Sequence, residues 1–366
     1  MKPTYLHYQT ALCYLHGIGP VRAKEIIHSL GALDYLFQDS PSTLENKTGF
    51  KKKLFEEMRK EEALQEAERI ISFNKENGIK ALFYTDKEYP RRLNNCYDAP
   101  LMIFVKGEIN LNEFHFVSVV GTRAATTYGQ QICRDLIKSF QGRKIIVVSG
   151  LAYGIDAWAH HYCIEYDVPT IAVLGHGLDR IYPHRNRGLA KQIIKDGALI
   201  TEFPPNTNPD RENFPKRNRI VAGMCDATIV VESMIKGGSL ITALLANDYN
   251  RDVFAFPGNI HQESSAGCNN LIFRDQAHLL QSPENFLTQM NWIEDDKKTT
   301  VQRKIFPSLS EVQKNIVDLL NQAKELQIDV LSLKLKMPIS KLNVELFNLE
   351  MEGVVICKPG KKYLVA

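Results

Sequence analysis

From Phe116 the chain alternates short β-branched runs with segments of helical period: FVSVVG, YGQQICRDLIKSF, KIIVVSG, GIDAWAHHYCIEY and PTIAVLG. No other feature restricts the fold as much. A strand covered on both faces reads as an unbroken apolar run, and a parallel neighbour requires a crossover long enough to hold a helix. The same alternation continues through ALIT, DATIVVE and DVFAF to about Leu280. It predicts an α/β domain with a doubly wound, mainly parallel sheet, whose working face lies at the carboxyl ends of the strands.

The flanks read differently. Residues 1–85 show helical apolar spacing in ALCYL and AKEIIHSL and a charged helix from Lys51 to Asn77, and HGIGPVRAKEII has the small-loop form of a helix-hairpin-helix (SAM-like) domain. One such hairpin binds a phosphate backbone weakly, and a structural hairpin or a protein contact explains the residues equally well. Residues 86–290 form the expected Rossmann-like core, with a proline-rich extension, Tyr84 to Gly107, joining it to the helices. IEDDKKTTVQRK is polar and aperiodic, which places a linker at 291–306. Residues 307–366 then give three helices and a two-stranded ribbon turned at Pro359–Gly360, the order of a winged helix.

A net charge of +3 is too small to make the whole molecule a polyanion binder, so any such surface must be local. The seven cysteines are odd in number and form no CxxC pair, which argues for reduced thiols and against a zinc site. No signal-like or membrane-length apolar stretch is present, so a cytoplasmic protein without a membrane partner is expected.

The chemistry-bearing residues gather after the strands. In VVGTRAATTYG, Gly121 permits a tight turn while Thr122 and Arg123 face the crevice at the start of the next helix, where amides attract phosphate. The residues equally allow a glycine needed only for the turn. SGLAYGIDAWAHH places Gly150, Gly154 and Asp156 at a strand-to-helix turn with His160 one turn later; a cap and a packing histidine explain the pair better than acid-base catalysis, since no nucleophile is near. GHGLDRIYPHRN adds Asp179, Arg180, His184 and Arg185. The densest signal is DRENFPKRNRIVAG, where Arg211, Lys216, Arg217 and Arg219 surround Phe214 beside Asn213 and Asn218. Cations around an aromatic suit a single strand, because they neutralise phosphates while the ring stacks a base. KGGSLITA then offers Gly237, Gly238 and Ser239 ahead of another helix. Neither GxGxxG nor GxxxxGK[ST] occurs, which disfavours a dinucleotide site and excludes a P-loop.

Taken in order, VVGTR, SGLAYGIDAWAH, TIAVLGHGLDRIYPHRN, FPKRNRIVAG, KGGSLITA and VFAFPGN, with YPRRL and DAPL upstream, resemble the motifs of the DNA-processing protein A (DprA/Smf) family across residues 88 to about 280. The flanking domains resemble that family's accessory domains. The resemblance implies a non-enzymatic protein without catalytic residues, cofactor or metal. Its implied work is to bind and protect single-stranded DNA, to load the RecA recombinase in natural transformation, and to form a homodimer through the core. It places the DNA site on Gly121, Thr122 and Arg123, on His184 and Arg185, on Arg211, Phe214, Lys216, Arg217 and Asn218, and on Gly238 and Ser239. The sequence departs from the family in Thr122, where serine is usual, in His184 and Arg185, where a lysine is common, and in Ala99, where proline is usual. The expected mechanism has arginines 123, 211 and 217 neutralising successive phosphates while Phe214 accommodates a base.

Two other readings stand beside this one. KGGSLIT also resembles the glycine loop of lysine-decarboxylase-like phosphoribohydrolases, but the helix after it carries no glutamate and only Asp248. A winged-helix regulator of duplex DNA would rely on Lys334, Lys336 and Lys341, few charges for major-groove reading.

Overall fold

The computed structural model describes residues 3–292, 309–323, 325–352, 354–358 and 361–365. The chain divides into two compact units, Met1–Ile293 and Glu294–Ala366. Most of the linker expected at 291–306, and the turn expected at Pro359–Gly360, fall outside the described residues. Asn291 and Trp292 do not: Trp292 is buried, stacked on His115 with ring centroids 4.4 Å apart, and closes the first unit.

The first unit opens with helices α1 (Tyr5–Leu12), α2 (Pro20–Leu30), α3 (Asp34–Gln38), α4 (Pro41–Thr48), α5 (Lys52–Glu56) and α6 (Lys60–Glu76). Pro20 and Pro41 sit in first turns, where a missing N–H costs nothing, and Ser40 Oγ accepts the Thr43 N–H at 3.2 Å to cap α4. Along α6 the buried residues Ala63, Ala67, Ile70 and Asn74 follow helical spacing, so one stripe faces inward. That stripe and α1 pack on Met102 and Phe104 of the sheet.

The helical segment does not end as an independent domain at residue 85. Strand β1 (Lys80–Phe83) pairs antiparallel with β2 (Met102–Gly107), across the short helix α7 (Arg91–Asn94), and both belong to the main sheet. Four residues, KALF, are too few to show a period, which is why the sequence reads as helical up to the extension.

The sheet continues with β3 (His115–Val120), α8 (Thr127–Ser139), β4 (Ile145–Ser149), α9 (Ile155–Glu165), β5 (Thr170–Val173), α10 (Arg187–Asp196) and β6 (Ala198–Thr201). It is completed by α11 (Asn213–Gly223), β7 (Ala227–Val230), α12 (Gly238–Asp248), β8 (Asp252–Ala255), α13 (Glu263–Phe273), β9 (His278–Leu279) and α14 (Pro283–Gln289). The nine strands lie in the order β1-β2-β6-β5-β4-β3-β7-β8-β9. From β6 to β9 all pairs are parallel, whereas β2 meets β6 antiparallel. Alternate residues of one strand feed opposite cores: Phe116 and Val120 join α11 and α12 through Ile220, Val221, Ala243 and Ala246, while Val117 and Val119 join α8 and α9 through Leu136, Ile137 and Ala159. Each fully buried Val, Ile or Phe contributes about 1.5–3 kcal/mol, so two covered faces hold the strands firmly and leave their carboxyl ends to loops.

The second unit holds α15 (Glu311–Ala323), β10 (Leu326–Gln327), α16 (Ile328–Leu335), α17 (Ile339–Met351), β11 (Val355–Lys358) and β12 (Lys362–Val365). The expected two-stranded ribbon is a three-stranded sheet, β10-β12-β11, because the short β10 adds to the outer edge of β12. Leu342, Leu346 and Leu349 of α17 form its core with Ile316, Leu320 and Leu331.

Candidate nucleic-acid interface

Strand order reverses between β3 and β7, whose crossovers leave in opposite directions and open a crevice beyond their carboxyl ends. A cavity of about 790 Å³ occupies that place. Its wall contains Gly121, Thr122 and Arg123 after β3, Gly150 and Asp156 after β4, Arg211, Phe214, Arg217 and Asn218 on and before α11, and Gly237, Gly238 and Ser239 at the start of α12. Nine of the twelve residues assigned to DNA from the sequence therefore meet in one cavity: Gly121, Thr122, Arg123, Arg211, Phe214, Arg217, Asn218, Gly238 and Ser239.

The loop after β3 is held from both sides. The Thr122 N–H donates to the Glu232 carbonyl at 2.7 Å and the Thr122 carbonyl accepts the Ile155 N–H at 3.1 Å. Thr122 Oγ1 accepts the Ala124 N–H at 3.2 Å, a local turn that leaves Arg123 exposed. The Arg123 guanidinium lies 5.5 Å from the centre of the Phe214 ring, a cation-π contact, and Phe214 lies 6.2 Å from the Tyr182 ring. Tyr182 is 44% exposed and is fixed by its backbone, whose N–H donates to His176 Nε2 at 3.2 Å. Burial pulls the His176 imidazole below its ordinary value, which keeps Nε2 an acceptor.

Arg217 differs from the arginines expected to act with it. It is only 5% exposed, and Nη1 donates to the Val173 carbonyl at 2.8 Å while Nε has no hydrogen-bond partner among the described residues. It reaches this position over Gly150, where a Cβ would stand 1.7 Å from Nη1. Asp156 accepts the Gly150 N–H at 3.1 Å. Burial pushes the Asp156 carboxyl up, against the nearby Arg217 charge and the loop N–H groups, and burial pulls the Arg217 guanidinium down, against Asp156. Arg217 is thus an internal charge at the cavity wall, whereas Arg123 and Arg211 are exposed.

Lys216, His184 and Arg185 are not brought into this cavity. Lys216 lies on another face of α11, in a cleft of about 410 Å³ with Ile18, Pro20, Val21, Asp98, Glu202 and Arg219. Of the readings that the sequence left open for the hairpin loop, the structural one has support here, since Ile18 packs against the core of the helical segment. Arg219 is used there in an ion pair with Glu202 and a hydrogen bond to the Asp98 carbonyl. His184 and Arg185 stand exposed on a single 3-10 turn, His184–Asn186, whose Asn186 Nδ2 donates to the Leu151 carbonyl at 2.9 Å.

Sequence reasoning missed Tyr182, Lys236 and Glu232. Tyr182 and Lys236 line the cavity. Glu232 is 1% exposed beneath it, and its carboxylate accepts the Thr126 N–H at 2.9 Å and the Thr126 hydroxyl at 2.7 Å, at the start of α8. An acid ending the apolar run DATIVVE is the signal that could have marked it. Glu232→Ala strands those two donors and is expected to cost about 1–3 kcal/mol in urea unfolding, with Glu232→Gln losing less because it keeps an acceptor. Equal losses for both variants would show that the charge, not the hydrogen bonds, carries the effect.

His160 does not line the cavity and makes no acid-base pair with Asp156. It is fully buried in α9, with Nδ1 hydrogen-bonded at 2.8 Å to Thr170 Oγ1, whose hydroxyl donates to the Val147 carbonyl; Nδ1 is therefore the donor and Nε2 has no partner among the described residues. Burial lowers the imidazole from 6.5 to about 3. Below pH 6.5 the unfolded chain takes up a proton that the folded chain refuses, so stability falls as the pH drops towards 3. Asp156 acts with the opposite sign, since a carboxyl raised in the folded state loses stability as pH rises through its titration. Relative to His160→Leu, the wild-type chain is expected to lose about 1.4 kcal/mol per pH unit over the histidine window, read by urea unfolding at several pH values. Parallel pH curves for the two proteins would contradict a neutral buried imidazole.

Residues 80–291 match the family model for DNA recombination-mediator protein A, and residues 306–361 match that of the DprA winged helix domain. The chain is 32% identical over 317 residues to Protein Smf of Escherichia coli, covering 81% of this chain and 83% of that one. It is 40% identical over 207 residues to the DNA processing protein DprA of Streptococcus pneumoniae, covering 57% and 73%. The solved structure of the Streptococcus pneumoniae protein is similar with a TM-score of 0.66 at 32% identity, over 79% of this chain and 99% of that one. A structure of DNA processing protein A from Helicobacter pylori, described for its single-stranded DNA binding mode, is similar with a TM-score of 0.53 at 27% identity, over 58% and 95%. A parallel sheet with its cavity at the reversal of strand order, a winged helix in the second unit, and matches that cover both units together mean that this chain belongs to the DNA recombination-mediator protein A (DprA/Smf) family.

Proposed function

We propose that this protein binds single-stranded DNA in the cavity between β3 and β7 and delivers the strand to a RecA-type recombinase during DNA uptake, acting in the cytoplasm without catalysis of its own. The observation that carries the DNA reading is the group Arg123, Phe214 and Tyr182 at one wall: a guanidinium over a ring, with a second exposed ring beside it. In this reading Arg123 and Arg211 meet phosphates, the N–H groups opening α12 at Gly238 and Ser239 take another, and a base stacks on the aromatics. Arg217 supplies an internal positive field rather than a surface contact. A paired base cannot enter such a cavity without leaving its stack, which favours single strands over duplex.

A homodimer through the core fits the exposed apolar side chains after β7 and around α13, where Ile235, Ile260 and Phe273 are 62%, 81% and 86% exposed. Asp248, which stands on α12 where a phosphoribohydrolase reading would need a glutamate, lies at the far end of that helix from the cavity.

The test is binding of the full chain to labelled oligo-dT and to a duplex of equal length across a salt series. Preference for the single strand, with a log-log salt slope of about −0.7 per phosphate neutralised, supports the reading. A preference for the duplex overturns it.

A further inference from the structure

The second unit carries a surface that the DNA site does not use. On α17 the inner face, Leu342, Leu346 and Leu349, is fully buried. The outer face is also apolar: Val344, Phe347 and Met351 are 58%, 62% and 74% exposed. At 3.6 residues per turn these three fall within a stripe about 60° wide. A recognition helix that reads duplex DNA presents cations and amides there, and a solvated helix presents charges. This face suits protein.

We infer that α17 pairs with α17 of a second copy of this chain, antiparallel about a two-fold axis passing beside Phe347. The argument is self-complementarity, which an isologous interface requires and a surface for a foreign partner does not. Reversing the helix about Phe347 sets Phe347 against its own mate and brings Val344 to within one residue, about 1.5 Å along the axis, of Met351 of the second copy. A two-fold of this kind keeps each flank of the stripe on its own side. On one flank stand Lys341 and Glu352, both exposed, and the reversal brings Lys341 of each copy to Glu352 of the other. On the opposite flank stand Asn343 and Glu350, also exposed, and the same reversal brings amide to carboxylate. The named positions thus meet chemistry that suits them, with an apolar centre and a polar rim. Antiparallel helices also oppose their dipoles favourably.

The test places a thiol beside the axis, Asn348→Cys, in the full chain, and treats the protein with a short bismaleimide at micromolar concentration. Wild-type protein sets the background from the partly exposed Cys13 and Cys357. The Asn348→Cys chain should give covalent dimer well above that background. Adding Lys341→Glu should lower the yield about tenfold, since both symmetric pairs turn repulsive, and adding Glu352→Lys should do the same. Both substitutions together restore the opposite charges and should bring the yield back to within about twofold. These positions are exposed, so unchanged circular dichroism is expected for every variant. A yield no higher than the wild-type background overturns the proposal and leaves the face to a protein of another sequence. A Lys341→Glu chain that cross-links normally, or a double charge exchange that fails to restore, overturns the antiparallel pairing.

Discussion

Arg123→Glu is expected to weaken binding of oligo-dT by about fiftyfold at moderate salt and to flatten its salt dependence by about 0.7 in slope for each phosphate that is no longer neutralised. The size follows from the environment. A charge-assisted hydrogen bond contributes about 1.5–3 kcal/mol, and reversal replaces an attraction with a repulsion in a cavity that focuses the field. The substitution also removes the cation from the Phe214 ring, so base stacking loses a neighbour. Arg123 is exposed and fills no part of the core, so the melting temperature should not change. Arg69→Glu, on α6 with a side chain 77% exposed, is the matched control and should leave affinity within twofold, about the scatter of surface charges. Equal weakening by both variants would mean that general charge, not the cavity, holds the strand.

Gly154→Ala should produce the largest loss of stability among single-atom changes near the site, about 3 kcal/mol, seen as a melting temperature roughly 5–10 °C lower for a unit of this size. Gly154 stands at φ +74° and ψ −130°, a conformation closed to side-chain-bearing residues, immediately before α9. An added Cβ would also lie 2.1 Å from the Thr122 carbonyl oxygen and 2.7 Å from the Arg123 Cα. Both neighbours are backbone and cannot rotate away. The loop bearing Thr122 and Arg123 must therefore shift, so single-strand affinity should fall along with stability. Gly188→Ala in α10 makes the comparison: a Cβ there meets nothing within 4 Å among the described residues, and alanine favours a helix, so that variant should be neutral or slightly stabilised. A Gly154→Ala protein as stable as Gly188→Ala would contradict the account of the loop.

Much of the site was legible because parallel strands buried on both faces announce themselves as apolar runs, and the residues following each run are placed at one edge by topology alone. The basic segment DRENFPKRNRIVAG was legible as a cluster but not as an arrangement. On α11, Phe214, Arg217, Asn218 and Val221 follow helical spacing into the cavity, while Lys216 and Arg219 point to the cleft beside the hairpin. Helical period applied to that segment separates the two sets. It does not tell that Arg217 is buried, because burial depends on Gly150, on a different strand-to-helix turn, leaving room for the guanidinium. Tyr182 lay in a loop without a period, and its place depends on a hydrogen bond to His176.

By itself the sequence determined the parallel core, the order of its loops, the winged-helix pattern of the second unit and the type of chemistry at the working edge, since these depend on local period and on turn-forming residues. Only the tertiary structure decided which cations reach the cavity, that Glu232 ties the start of α8 from 106 residues away, that β1 joins the sheet, and that the outer face of α17 is apolar and open. The reason is physical. Spacing along a chain reports which face of an element is apolar, whereas burial of a charge, or exposure of an apolar stripe, depends on what other elements leave room for or leave uncovered.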